Sequence, residues 1–172
     1  FYRVAVSRLS TADAIEVIGD GSSGEVEYVL LNHEGRIWVG AGSDHTDRVV
    51  EHMGITVAKQ VCDKPIATEF WPLDEVEDHW DRILIRSTIV EDGKDTVYQD
   101  GGVAGLISPK ELLAHLREDG GDLGEGTLLF GGTCGAIGGV RFSPRFQIDL
   151  IDPVMDRRIS HRYDVVPVPI LG

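Results

Sequence analysis

Three acidic residues in the first quarter of the chain have a spacing that could hold a divalent cation. Glu25 and Glu27 are two residues apart, so on a strand both carboxylates point to the same side. A turn over 32–35 would return a second strand and bring Asp44 back beside the first. Three converging carboxylates repel each other unless a cation lies among them. On spacing alone, however, glutamates at such positions are more common on a solvated strand edge.

The residues that follow Asp44 add further candidates. We expect a short helix over 44–53 that Asp44 could cap, with Gly54 at its end. Asp47 and Arg48 would form an ion pair that braces Asp44, and His45 is expected at the surface. Lys59 stands in an apolar segment, which is unusual for lysine and favours a functional role.

The elements that must position these residues are mostly strands. The clearest helix begins at Ser108, with Pro109 in its first turn and Glu111 at the capping-box position, and Gly120 ends it. Alternating or continuous apolar runs between turn residues predict strands over 14–18, 26–31, 36–40, 82–87, 96–99, 127–130, 146–151 and 163–168. The chain therefore predicts a β-rich α+β fold with few short helices, in a single domain over 1–172.

Composition excludes several classes of partner. A net charge of −13 over 172 residues opposes binding to nucleic acid or to an anionic membrane surface. No apolar run is long enough to span a bilayer. The two cysteines, Cys62 and Cys134, are too few for a disulfide framework and are expected to be free thiols in a reducing compartment.

The order of short motifs along the chain resembles the fumarylacetoacetate hydrolase family, in a branch carried as a domain of unknown function. The motifs are Phe1-Tyr2-Arg3, Glu25-Val26-Glu27, Ser43-Asp44-His45-Thr46-Asp47-Arg48, Ala58-Lys59-Gln60, Gln99-Asp100-Gly101 and Gly131-Gly132-Thr133. Each motif is weak alone, but six in order over nearly the whole chain are a stronger signal. Three positions depart from the family pattern: Arg3 replaces a lysine, Ser43 replaces an asparagine, and Cys134 replaces a proline.

The resemblance implies a mixed β-sandwich or roll that holds Mg²⁺ or Mn²⁺ through Glu25, Glu27 and Asp44. It also implies that Lys59 is catalytic and contacts the substrate, while Thr133 and Gly132 bind a substrate carboxylate. The substrate would be a small 2-oxo or β-diketo acid, and the reaction would be hydrolysis of a C–C bond. Decarboxylation, hydration or tautomerisation of similar acids is one alternative, and a non-catalytic metal-binding or ligand-binding protein is another.

Three further expectations follow from the same resemblance. The protein would be a cytoplasmic homodimer. The family's hydrolases activate water with a His-Glu pair on a helix upstream of the first strand. We expect such a pair, if the protein has one, to precede Phe1, because Phe1-Tyr2-Arg3 resembles the strand that follows this helix in the family.

Overall fold

The structure is a computed structural model and describes residues 1–171. Its helices are short: α1 spans Ile55–Gln60 and α2 spans Pro109–Glu118, and single turns of 3-10 helix connect several strands. The strands are β1 (Leu9–Ser10), β2 (Ala14–Ile18), β3 (Ser22–Ser23), β4 (Val26–His33), β5 (Arg36–Ser43), β6 (Thr46–Asp47), β7 (Lys64–Pro65), β8 (Trp71–Pro72), β9 (Leu84–Glu91), β10 (Lys94–Gly102), β11 (Leu128–Phe130), β12 (Arg145–Asp152) and β13 (Arg157–Val168).

Two larger sheets form the body of the molecule. One has five strands in the order β10-β9-β12-β13-β2, and the other has four in the order β11-β4-β5-β8. The described residues also form two two-stranded sheets, in which β1 pairs with β7 and β3 pairs with β6. The predicted β-rich architecture with few short helices is confirmed.

The core lies between the two larger sheets. Alternate residues of β9 and β12, such as Ile85, Phe146 and Ile148, are buried and meet Tyr28 and Leu30 of β4 in one hydrophobic cluster. Side chains alternate across a strand, so this pattern turns one face of each sheet inward. The opposite face of β4 and β5 is then free to carry polar groups.

A tight hairpin fixes the register of β4 and β5. Glu34 and Gly35, the two residues of the turn, have φ of 52° and 70°, as expected for a type I′ turn. The register pairs Glu27 with Gly42 and Val26 with Ser43. The hairpin predicted from sequence is confirmed, and it is longer at both strands than expected.

Helix α2 is confirmed with its predicted cap. The Ser108 hydroxyl accepts from the backbone N–H of Glu111, and the Glu111 carboxylate accepts from the backbone N–H of Ser108. This reciprocal arrangement satisfies two donors that a helix N-terminus otherwise leaves free.

The predicted helix over 44–53 is wrong. The segment instead forms β6, which pairs with β3, and a single 3-10 turn over Val50–His52. Asp47 provides the reason, because its Oδ1 accepts from the backbone N–H groups of Val49 and Val50 and so supports a turn. Gly54 precedes helix α1 instead of ending a helix.

Candidate functional site

The β4–β5 hairpin brings the acidic segments together as expected. The backbone N–H of Asp44 donates to the carbonyl of Glu25 at 2.9 Å, directly beyond the last paired residues of the hairpin. Asp44 thereby stands next to the start of β4. The pairing of the hairpin alone is sufficient to place Glu25, Glu27 and Asp44 in one neighbourhood.

Glu27 is a buried acid with an abnormal affinity for its proton. Its side chain accepts from the backbone N–H of Gly132 at 2.6 Å. Burial, together with the nearby negative charge of Asp44, raises the pKa of Glu27 to about 8, against the opposing effects of Gly132 and Lys59. A carboxylate in this position gains strongly from any cation that enters the site.

The glycines of the 131–132 loop are required by the geometry around Glu27. The ring of Tyr28 occupies the place where a side chain at Gly131 would stand. Gly132 has φ of 106°, in the region that favours glycine. The two glycines thus allow the loop to pass close to β4 and to direct its N–H at the Glu27 carboxylate.

Asp44 is held by two lysines and still has an unsatisfied oxygen. Lys59 on helix α1 donates to its Oδ2, and Lys64 Nζ lies 3.4 Å from its Oδ1. Within residues 1–171, Oδ1 is buried and has no hydrogen-bond partner. An unsatisfied buried carboxylate oxygen is costly, which marks this atom as a candidate ligand.

Lys64 is a site residue that the sequence reasoning missed. The residue is 2% exposed, and its ammonium donates to the carbonyls of His45, Lys59 and Cys62. Burial lowers the pKa of Lys64, while Asp44 opposes that change. The scarcity of lysine could have drawn attention to Lys64, since only four of the 16 basic residues in the chain are lysines.

Glu25 occupies the edge of the cluster. Its carboxylate pairs with Arg48 at 3.1 Å, and Arg48 also pairs with Glu51 at 3.3 Å. The expected Asp47–Arg48 pair is therefore wrong, because Arg48 bonds to the glutamates and to Ser23 while Asp47 supports the following turn. Glu25 is near enough to Glu27 to contribute to its raised pKa.

The expectation that His45 is at the surface is also wrong. The ring is fully buried, with Nε2 at 3.0 Å from the Ser22 hydroxyl and Nδ1 at 3.3 Å from the Tyr163 hydroxyl. Burial, followed by the positive charges of Lys64 and Arg48, lowers the pKa of His45 to about 3. The ring is neutral at pH 7 and anchors the loop that carries Asp44.

A cavity of about 630 Å³ opens beside this cluster. Glu27, Asp44, Lys59, Lys64 and Gly132 line one part of it. The remaining wall consists mainly of residues 1–6, Leu9, Leu112 and the segment over 126–130. The cavity gives a small molecule direct access to the two acids and the two lysines.

Thr133 lies beside the cluster, with its hydroxyl engaged inside the protein. The hydroxyl donates to the carbonyl of Val26 at 2.6 Å and accepts from the Gln99 amide at 2.7 Å. Gln99 Oε1 in turn accepts from the backbone N–H of Val26 at 2.9 Å. Gln99 and Thr133 therefore fasten the start of β4 to the glycine loop.

The donor set fits a hard divalent cation in part. Glu27 and the unsatisfied Oδ1 of Asp44 supply buried carboxylate oxygens, the ligands preferred by Mg²⁺ and Mn²⁺. Glu25 would join them only if it exchanged its contact with Arg48. In the arrangement described, residues 1–171 contain no group of three or more acidic, histidine or cysteine side chains positioned to hold a metal.

Solved structures share this fold. A crystal structure of Cg1458 matches with a TM-score of 0.70 and 14% identity over 93% of this chain. The 2-keto-3-deoxy-D-arabinonate dehydratase complexed with magnesium and 2,5-dioxopentanoate matches with a TM-score of 0.71 and 17% identity over 99%. The apo form of that dehydratase gives 0.72 and 17% over the full chain. These matches confirm the predicted fumarylacetoacetate hydrolase-like fold class.

The chain spans 66% of the Cg1458 chain and 62–63% of the dehydratase chains. No curated protein matches the chain. Within residues 1–171, no helix has the length and apolar character needed to cross a membrane.

The family comparison confirms the part of the prediction that assigned the chain to a domain of unknown function. A family model described as "Protein of unknown function (DUF2848)" matches residues 1–163, which is nearly the whole sequence. The chain belongs to this DUF2848 family.

Proposed function

We propose that the protein is a divalent-metal-dependent enzyme that acts on a small 2-oxo carboxylate. The catalytic domain would comprise residues 1–172. The observation that carries the proposal is the pairing of a buried Glu27 with an unsatisfied Asp44 oxygen at the wall of an open cavity. A buried carboxyl group with few partners, such as Glu27, costs free energy in the folded state, and groups of this kind occur preferentially at functional sites.

The residues divide into holding and reacting groups. Glu27 and Asp44, with Glu25 joining them from the edge, would hold Mg²⁺ or Mn²⁺. The bound ion would supply Lewis-acid stabilisation of negative charge on the oxygen of a 2-oxo acid. Lys59 would place its ammonium beside the same oxygen, and Lys64 would keep Asp44 and the end of helix α1 in position.

Gly132 and Thr133 have proposed roles in binding the substrate. Their loop directs a backbone N–H into the cavity wall, and that N–H binds Glu27 in the arrangement described. A substrate carboxylate that approached the loop would compete for this donor. The Thr133 hydroxyl would have to leave Val26 to take part.

Hydrolysis of a C–C bond in a 2-oxo or β-diketo acid is the reaction that the motif order supports. In that reaction water adds to a carbonyl carbon, the adjacent C–C bond breaks and an enolate leaves, so Lys59 would face the oxygen on which the charge develops. Elimination of water is the second candidate, favoured by the fold shared with a dehydratase solved with magnesium and 2,5-dioxopentanoate. Both reactions need the same stabilised oxygen and differ in the group that leaves. A cytoplasmic homodimer stays a prediction.

Titration of the full-length protein with Mg²⁺ and Mn²⁺ by calorimetry tests the metal site. We expect saturable binding to the wild type and its loss in Glu27→Gln, because the amide removes a charged ligand. Glu16→Gln is the matched control, since Glu16 is exposed on β2 of the other sheet. Equal affinity in wild type and Glu27→Gln would contradict the proposal.

Turnover of a panel of 2-oxo, β-diketo and 3-deoxy-2-oxo acids, with and without a chelator, separates the reactions. Cleavage of the acid into two carbon-containing products identifies hydrolysis, and a single product lighter by one water molecule identifies elimination. We expect Lys59→Met to abolish either reaction while metal binding persists. Metal binding without turnover of any acid would favour a non-catalytic binding protein.

A further inference from the structure

We infer that the substrate is a 2-oxo carboxylate with an apolar tail of several carbons, seated along strand β11. This inference rests on the proposed function and adds the class of substituent to it. A polyhydroxylated or dicarboxylic acid would suit the same cavity poorly.

The cavity changes character along one strand. At one end, the N–H of Gly132 binds Glu27, next to Asp44 and the lysines. From there β11 runs antiparallel to β4, with Phe130 opposite Val29 and Leu128 opposite Leu31. At about 3.3 Å per residue, Leu128 lies roughly 13 Å from Gly132. The charged end and the apolar end of the cavity are therefore separated by the length of an extended chain of about ten carbons.

Phe130 marks the boundary between the two ends. Glu27 and Val29 are two residues apart on β4 and face the same side, and each is paired across the hairpin. Gly42, opposite Glu27, carries no side chain, and a Cβ there would lie 2.8 Å from the Phe130 ring. The missing side chain gives the Phe130 ring its place beside Glu27. A substrate tail that leaves the metal end must pass this ring.

The wall beyond Phe130 is apolar where it is buried or half-buried. It contains Leu112, Leu128 and Leu9, whereas the polar residues Arg3 and Thr127 are exposed, as is Tyr2, whose ring lies 5.9 Å from the ammonium of Lys59. Hydroxyl groups on a tail would lose water along this wall without gaining partners, and that loss is costly. Methylene groups would gain free energy there.

The size of the cavity agrees with a longer ligand. About 630 Å³ is within the range of pockets that enclose drug-sized molecules, and pyruvate would leave much of it filled with water. An extended apolar tail would displace water from the part between Phe130 and Leu128.

The test is the affinity of the full-length, Mg²⁺-saturated protein for pyruvate, 2-oxohexanoate, 2-oxooctanoate and 2-oxodecanoate, measured by calorimetry. We expect the dissociation constant to fall about fourfold for each added methylene, the change that corresponds to burial of one CH₂ group. Leu128→Ser should reduce this dependence on length. Leu31→Ser is the matched control, because Leu31 pairs with Leu128 in register but does not line the cavity.

The outcomes separate this inference from the proposed function. Dissociation constants independent of chain length, or tighter binding of 2-oxoadipate that Arg3→Ala abolishes, would overturn the apolar tail and leave the proposed function standing. Equal binding of hexanoate and 2-oxohexanoate would show an apolar site that ignores the oxo group, which would overturn the proposed function and leave only the apolar tail of this inference. No binding of any 2-oxo acid would overturn both. The wild-type series decides the question even if Leu128→Ser does not fold.

Discussion

Two buried carboxylates, Glu27 and Asp152, lie in regions that treat negative charge in opposite ways. Glu27 is 6% exposed and Asp152 is fully buried. Burial raises the pKa of Glu27 to about 8, with Asp44 adding to the effect. Burial would also raise the pKa of Asp152, but hydrogen bonds from its surroundings outweigh it and lower that pKa.

The surroundings of Asp152 explain the difference. Its oxygens accept from His79 Nε2 at 3.0 Å, from Arg157 Nε at 3.2 Å, and from the backbone N–H groups of Val154 and Met155. These four donors satisfy the Asp152 carboxylate, which thereby stabilises the turn between β12 and β13. Glu27, by contrast, accepts one backbone N–H and faces a cavity.

A structural acid and a candidate ligand differ in how many hydrogen-bond partners the fold supplies to the carboxylate. A structural acid is satisfied within the fold and stabilises it. A candidate ligand is left under-satisfied, so the folded chain is less stable until something binds. The raised pKa of Glu27 is the measurable sign of that deficit.

The largest expected effect is a pH-dependent loss of stability in the metal-free protein. The pKa of Glu27 is about 8 when folded and near its ordinary value of 4.5 when unfolded. Its protonated form therefore supports the fold fully below pH 4.5, and this support is lost as the pH rises through 8. At about 1.4 kcal/mol per pH unit, the free energy of unfolding should fall by on the order of 4 kcal/mol from pH 5 to 8.

Urea unfolding at a series of pH values with a chelator present measures this effect. Glu27→Gln should remove this dependence, because glutamine does not titrate. Parallel pH profiles for wild type and Glu27→Gln would contradict the contrast with Asp152.

A somewhat smaller loss is expected from Asp152→Asn. The amide removes the buried carboxylate that Arg157 and His79 contact, while Arg157 keeps its pair with Glu75, and the loss of hydrogen bonds to a charged group costs about 1.5–3 kcal/mol. Urea unfolding at pH 7 measures the change. Asp156→Asn in the same turn is the control, because Asp156 is exposed and has φ of 50°, a conformation that asparagine tolerates. A loss below 1 kcal/mol at Asp152 would count against its structural role.

The smallest effect is expected from Thr133→Val, a substitution in the loop beside Glu27. Loss of the hydroxyl removes the hydrogen bond to the Val26 carbonyl and should cost about 1 kcal/mol of stability. Thr133→Ser keeps the hydroxyl and serves as the control. If Thr133 also binds a substrate carboxylate, KM should rise in Thr133→Val by more than the change in stability explains; an unchanged KM would assign Thr133 to structure alone.

Much of the fold was predictable because the local signals were strong. The capping box at Ser108 and the alternating strands over 146–151 were confirmed, as was the hairpin that contains Glu34 and Gly35. These features depend on neighbouring residues, whose period and turn chemistry can be read along the chain. The segment over 44–53 failed because Asp47 satisfies backbone groups of a turn, and cap residues look alike in helices and turns.

The proximity of Glu27 and Asp44 was predictable from the sequence, whereas the contacts around them were not. The hairpin register explains why Glu27 and Asp44 could be placed together from spacing. The burial of His45 against Tyr163 and the contact of Lys64 with the His45 carbonyl depend on packing between segments that are separated in sequence, which no local pattern encodes. The Arg48–Glu25 pair was missed for the same reason, since 23 residues separate the partners in the chain.

The hairpin between β4 and β5 also has a consequence for the order of folding. It unites Glu27 and Asp44 through a two-residue turn, whereas the contact between Glu27 and Gly132 spans 105 residues of sequence. Local contacts form before distant ones, because closing a long loop costs more chain entropy. The two acids therefore meet while water still surrounds them, and they lose that water only when the 126–132 segment docks. The free-energy cost of burying the ionised Glu27 carboxylate therefore arises late in folding. Raising the pH should consequently change the unfolding rate more than the folding rate.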